Sequence, residues 1–479
     1  MRSTVLLVCA SGLVLGAACA VNPATGKKEL ALVSESQEVQ MGLQADPGII
    51  TSMGLDPDSG RQRYVRALGA RLASTSERPN LPWTFRVIDD PVVNAFAIPG
   101  GHVYVTRGIM AHLNSEAELA GVMGHEIGHI TARHSVQQMS RQQIAQLGLV
   151  VGMVIDPKLQ RYAGAASQGL GLLFLKYSRD DESQADYLGY RYMRRQRYDG
   201  RQMPQVFTLL DRVTVASGSR IPEWLATHPD PGNRLEAINR DIAATPRESL
   251  GTVVNREAYL RVIDGMVFGD NPRDGYVRNG EFVHPDLRFR ITFPAGWTVQ
   301  NGRDAVQAVS PGQDAVVQLS VPNQPTPDQA ATAFFSQQGI TGTPAPVSFR
   351  GLPATTAEFA AAATADQGAL AGRVTFIAYE GRVYQILAIA SQEHFPAVRD
   401  VAWRATTSFD RLSDPAVLNA QPWHLQVVTV PRSMTVDEFA RAYPGPVPVA
   451  TVALVNNVDP GDRFPAGSLA KRIVGDPLP

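Results

Sequence analysis

Five of the nine histidines fall between positions 102 and 134, and two of them stand in the run His125-Glu126-Ile127-Gly128-His129. On a helix, residues four apart share a face, so both imidazoles can reach one ion. Glu126 is turned by about 100° from His125, which lets its carboxylate reach a water beside that ion without ligating it. Two neutral nitrogen ligands with one adjacent carboxylate equip a helix for metal-assisted hydrolysis. The two cysteines, Cys9 and Cys19, lie in the first twenty residues, so a metal in the body of the protein must be held by His and carboxylates.

This is the H-E-x-x-H arrangement of zinc peptidases, and zinc then needs a third protein ligand. The best candidate is Glu182, inside SRDDESQADYLGY, in a helix that Ser178 or Asp180 can open. Asp186, four residues on and on the same face, would orient one of the histidines through the ring nitrogen turned away from the metal. Acidic residues in a first turn also favour the helix dipole, which is the plainer explanation. His228 opens a loop in Thr227-His228-Pro229; its imidazole would either stabilise an oxyanion or occupy the open zinc position. Arg234 would stabilise the same developing charge or simply lie on a helix surface. His134, nine residues after His125, falls on the opposite face of a regular helix and is expected to have structural duty near the helix end.

HEIGHITARH, YSRDDESQADYLG and THPDPGNR, in that order over about residues 34–245, resemble the metallopeptidase family of CAAX prenyl proteases, HtpX and BepA. Without spanning helices, the chain looks most like its soluble, exported, BepA-like branch. The resemblance implies a gluzincin-type endopeptidase holding one Zn2+ on His125, His129 and Glu182, with Glu126 as catalytic base and acid. His228 and Arg234 correspond to the family's His and Arg beyond the third ligand. NAFAIPGGHVYVTRG resembles the strand beside the cleft, so an extended peptide would pair near Asn94, Ala95, Phe96 and Ala97. The tail does not share the helical-repeat arrangement of BepA, so partner proteins are not implied.

The elements that must position these residues are legible locally. Ser115 caps the motif helix, and Glu118 three residues later predicts a capping box. Ser34 with Gln37, or Ser36 as an alternative cap, opens a helix over Gln37 to Gln44. Further helices are expected at 61–74, 141–154, 178–194, 204–216 and 232–243. WTFRVID, AFAI and GGHVYVT alternate as strands. The Gly-rich stretch Ala163 to Leu172 reads equally as a mobile lid or a tight packing segment. The fold class is α+β and multidomain. A mainly helical zincin-type peptidase domain with a small sheet (34–265) precedes an accessory α+β domain (276–412) that loosely resembles PsbP or Mog1. A small βααβ module (421–475) resembles LysM but lacks its Gly-Asp-Thr start. The peptidase domain alone is expected to retain catalysis.

At 479 residues, 44% hydrophobic and 19% charged, the chain is globular and long enough for several cores. Lys+Arg 44 against Asp+Glu 45 leaves a net charge of -1, which offers no global attraction for nucleic acid. Arg2 followed by the apolar run Val5 to Leu15 and small residues reads as an export signal over 1–18. LGAAC resembles a lipoprotein signal, which would make Cys19 the lipidated residue, 19–33 a tether, and the outer-membrane surface in the periplasm the location; plain secretion without a lipid is the alternative. Gly16 stands where a bulky aliphatic residue is usual. The leading function is a zinc endopeptidase of the bacterial envelope acting on unfolded or damaged proteins. The alternatives are an anchored chaperone or cell-wall-binding protein with a dormant metal site, and a metal hydrolase acting on peptidoglycan amides, encouraged by the LysM-like tail and its possible glycan contact.

Overall fold

The computed structural model describes residues 19–148, 176–216, 228, 231–363 and 368–479. The export segment 1–18 and the Ala163 to Leu172 stretch lie outside the described residues. Two compact units result. One takes in the described residues up to Asp270 together with Trp423–Asp476, and Asn271–Pro422 makes the body of the other.

In the first unit, strands β1 (Cys19–Val21) and β2 (Lys28–Leu30) form an antiparallel hairpin, so the residues read as a tether are paired structure. The side-chain amide of Asn22, at the hairpin's turn, donates to the Ala132 carbonyl at 3.2 Å. A mixed sheet has the order β3 (Thr84–Ile88), β5 (His102–Thr106), β4 (Ala95–Ile98). β3 runs parallel to β5 from Thr84↔His102 to Ile88↔Thr106, and β4 is antiparallel to β5, leaving β4 at the edge. Every side chain of β4 and β5 is buried.

Ser34 and Gln37 make the expected capping box, and their helix, Glu35–Met53, continues past Gln44 and through Pro47. The motif helix is Glu116–Thr131 and is buried along its whole length, so no polar face marks its register. Its Ser115 cap accepts from the Glu118 backbone N–H at 3.1 Å. The Glu118 carboxylate reaches the Asn114 N–H at 2.6 Å instead of that of Ser115, a box displaced by one residue. The helix stops at Thr131. Arg133 takes a φ of 59°, and a new helix begins at His134 and runs to Gly148.

A continuous apolar core gathers Leu68, Phe85, Leu119, Met123, Ile127 and Leu188 with Leu425, Val455 and Ile473 from the far end of the chain. That C-terminal stretch runs strand (Trp423–Thr429), helix (Val436–Ala442), helix (Val449–Asn456), strand (Leu469–Val474). Its outer strands pair antiparallel, and Trp423 and His424 also pair with Phe268 and Val267. Lys471 is fully buried, and its ammonium donates to the carbonyls of Ala111, His112 and Leu113 at 2.8, 3.2 and 2.8 Å. It thereby satisfies orphan carbonyls at the end of the helix Arg107–His112. The peptidase boundary expected at 265 therefore does not enclose this unit: the last strand of the chain is part of its core.

The second unit is an antiparallel sheet of eight strands in which Leu352–Ala361, Leu370–Tyr379 and Arg382–Ser391 are long neighbours. Ala315–Ser320 alternates buried and half-buried residues with period two, as a one-sided sheet requires. A second, four-stranded antiparallel sheet (Tyr276–Arg278, Glu281–His284, Phe289–Thr292 and Asp410–Arg411) and the helices Pro327–Phe335 and Phe395–Ser408 belong to the same α+β unit. Among the described residues no helix is long and apolar enough to cross a membrane.

Candidate metal centre

The motif helix meets a second helix, Arg179–Arg195, which Ser178 opens through a full capping box with Asp181. Glycine lets the two backbones touch. A Cβ on Gly189 would lie 2.7 Å from the His125 backbone nitrogen, and one on Gly128 would lie 3.0 Å from the Ala185 carbonyl oxygen. This close approach puts Glu182 and Asp186 opposite His125 and His129.

The Nε2 atoms of His125 and His129 lie 2.9 Å apart. Glu182 brings one carboxylate oxygen to 3.6 Å from His125 Nε2 and the other to 3.4 Å from His129 Nε2. His228 joins them, its Nδ1 at 2.9 Å from Glu182 Oε1 and 3.3 Å from His125 Nε2. One ligand atom from each of these four residues falls within 4.8 Å of the others, and all four residues are buried. Glu126 stands beside them, its Oε1 3.7 Å from His228 Nε2 and buried without a hydrogen-bond donor among the described residues.

The remaining ring nitrogens are spoken for. His125 Nδ1 meets Asp186 Oδ1 at 2.8 Å. Asp186 is gripped in turn by Arg234 through two contacts of 2.7 Å, while Arg234 Nη1 lies 2.8 Å from Glu182. Arg234 is buried on the helix Pro231–Ala244, so the reading of it as a surface residue is corrected. Its guanidinium clamps two carboxylates. His129 Nδ1 meets His134 Nδ1 at 2.9 Å, and Tyr177 stacks on the His129 ring with centroids 4.0 Å apart.

Burial pushes the Glu126 carboxyl upward. Burial pushes Asp186 and Glu182 upward too, but Arg234 on Asp186, and His228, His125 and Arg234 on Glu182, outweigh it and hold both below the usual carboxylate range. Burial first, and then neighbouring His125, hold His129 well below the usual imidazole value, so it keeps a lone pair. The lone pair of His129, the facing His125 Nε2 and the ionised, buried carboxylate of Glu182 fit a divalent cation. An all-His/Glu donor set is one that zinc accepts.

Residues 59–242 match the model of Peptidase family M48. This chain carries an M48 peptidase domain. The beta-barrel assembly-enhancing protease of Escherichia coli (strain K12) is 32% identical over 232 residues, 46% of this chain and 46% of that protein. The mitochondrial metalloendopeptidase OMA1 of Arabidopsis thaliana is 34% identical over 167 residues, 35% of this chain and 33% of that one. The chain thus spans half or less of the length of these curated relatives. A solution structure of cyanobacterial PsbP from Synechocystis sp. PCC 6803 is 12% identical and covers 27% of this chain and 91% of that one. Its TM-score of 0.23 is too low to carry an argument.

The structure of the M48 domain brings together His125, Glu126, His129, Glu182, Asp186, His228 and Arg234. Ala95, Phe96 and Ala97 lie in the edge strand β4, and Asn94 immediately precedes it. Cys19 begins β1. Sequence reasoning missed His134 and Tyr177, because a regular helix carries His134 to the wrong face and nothing local shows that the helix breaks at Arg133.

Proposed function

We propose that this chain is a zinc-dependent endopeptidase of the bacterial cell envelope that cleaves unfolded or damaged proteins. The observation that carries this reading is the convergence of His125, His129 and Glu182 on one buried point with Glu126 alongside. Those three residues would hold the metal. When bound, zinc supplies Lewis acidity to a scissile carbonyl and lowers the pKa of a neighbouring water. Glu126 takes the proton at its carboxylate and delivers it to the leaving amine. Asp186 fixes the His125 ring, and Arg234 fixes Asp186 and Glu182, so both act by positioning. The outer edge of β4, which is last in its sheet, would hold an extended peptide by backbone pairing, which tolerates varied sequences and suits unfolded substrates.

His228 sits among the ligand atoms, which favours occupancy of the open metal position at rest over an oxyanion role. Attachment to the outer membrane through Cys19 and peptidoglycan contact through residues 421–475 belong to the same reading. Palmitate labelling with Cys19→Ser as control tests the first, and sedimentation with sacculi the second.

The deciding experiment is Glu126→Gln in the full chain. This variant is expected to keep one zinc per chain and lose casein cleavage by at least about a thousandfold. Equal cleavage by parent and variant would refute the mechanism. A zinc-loaded parent that suppresses aggregation without cutting would point to the chaperone instead.

A further inference from the structure

His129 reaches the common point with Nε2, so its proton sits on Nδ1. That nitrogen meets His134 Nδ1 at 2.9 Å, and His134 Nε2 meets Gln184 Oε1 at 2.7 Å. One assignment satisfies both contacts: His129 Nδ1–H donates to His134, and His134 Nε2–H donates to Gln184. His134 is 1% exposed, so no bulk water competes. Gln184 lies two residues after Glu182 on the same helix, and the relay therefore joins both helices that supply ligand atoms.

The backbone is arranged to make this contact. Arg133 breaks the helix with its φ of 59°, a conformation that an L-residue adopts only where its surroundings hold it. Its guanidinium donates to Glu38 Oε2 at 2.9 Å and to the Val33 carbonyl at 2.8 Å. Arg78 donates to Glu38 Oε1 at 2.8 Å and to the Ile130 carbonyl at 2.9 Å. A latch of buried charge thus turns the chain so that His134 returns over His129.

Resting on the metallopeptidase reading, we propose that His134 is a positioning residue for the metal site. It fixes the tautomer and ring plane of His129 as a neutral acceptor, where His125 has a carboxylate. The test is competition for zinc against a chelator of known affinity, with the full chain and zinc alone as probe. His134→Leu is expected to weaken zinc binding by about 10–100-fold, the usual effect of removing an outer partner of a ligand. His134→Asn keeps an oxygen acceptor near the Nδ1 position and is expected to stay within about threefold of the parent. A merely structural role would lower the melting temperature of both metal-free variants alike and leave zinc affinity unchanged.

Parent-like affinity in the Leu variant, or an Asn variant as weak as Leu, would overturn the assignment of His134 alone. A parent that binds no zinc would overturn the metallopeptidase reading together with it. If the Leu variant does not fold, Gln184→Met carries the test: a loss of about 3–10-fold is expected, and none would refute the relay.

Discussion

His112 donates from Nδ1 to the Gly108 carbonyl at 2.8 Å. Burial pushes its pKa down to about 4, against the raising effect of that bond, with Lys471 adding to the fall. The unfolded chain protonates the same ring near 6.5. Between those values the unfolded state binds more protons, so the stability from neutral His112 is complete above about pH 6.5 and is lost as pH falls toward 4. Urea unfolding at stepped pH is expected to show a decline of roughly 2–3 kcal/mol across that window, with a shallower slope in His112→Gln. Equal slopes would remove His112 as the cause. Arg234 allows a sharper test, because a lysine keeps the charge but cannot bridge both oxygens of Asp186 and also face Glu182. Arg234→Lys is expected to weaken zinc binding by about tenfold or more, read by chelator competition. The sequence named both partners of this clamp, but only their meeting showed that Arg234 serves the carboxylates.

At the scale of elements, the close contact of the two ligand-bearing helices is the feature most exposed to disruption. A methyl group at Gly189 would press on the backbone of His125, whereas one at Gly121 meets nothing nearer than Met203 Cγ at 3.7 Å. Gly189→Ala is therefore expected to cost about 1–3 kcal/mol and to abolish stoichiometric zinc uptake by parting Glu182 from His125. Gly121→Ala is expected to bind zinc as the parent does, with stability equal or slightly raised by helix propensity. Thermal melts and zinc content of the purified variants check both, and matching behaviour would refute the spacing argument. Much of this level was legible: Ser34, Ser115 and Ser178 cap the helices expected of them, because a cap is a contact across three residues. The break at Arg133 was not, since it depends on Glu38 and Val33 far earlier in the chain, and the Glu118 box, though local, closes on Asn114 rather than Ser115.

For the whole molecule, the surprise is where the end of the chain lies. Leu425, Val455 and Ile473 fill the core around the motif helix, and Lys471 closes a helix within it. Removing residues 423–479 is therefore expected to unfold the peptidase unit, contrary to the expectation that residues 34–265 suffice. Far-UV circular dichroism and limited proteolysis of the truncated chain would show it. Phe268 and Trp423 are antiparallel partners, so the two crossings into the accessory segment leave from adjacent points. Replacing 271–422 by a short Gly-rich turn is expected to leave zinc binding and casein cleavage within about threefold of the parent, since such a turn closes a strand pair at little entropic cost. Loss of folding in that variant would make the accessory unit structurally obligatory.

The sequence by itself picked out His125, Glu126, His129 and Glu182 and the helices that carry them, because four-residue spacing and capping act over one or two turns. Tertiary structure alone decided which carboxylates Arg234 would clamp, that His134 returns to His129, and that the final strand completes the peptidase core. Those outcomes depend on a positive φ held by buried charge and on strand pairing between distant segments, and neither leaves a periodic mark in a linear chain.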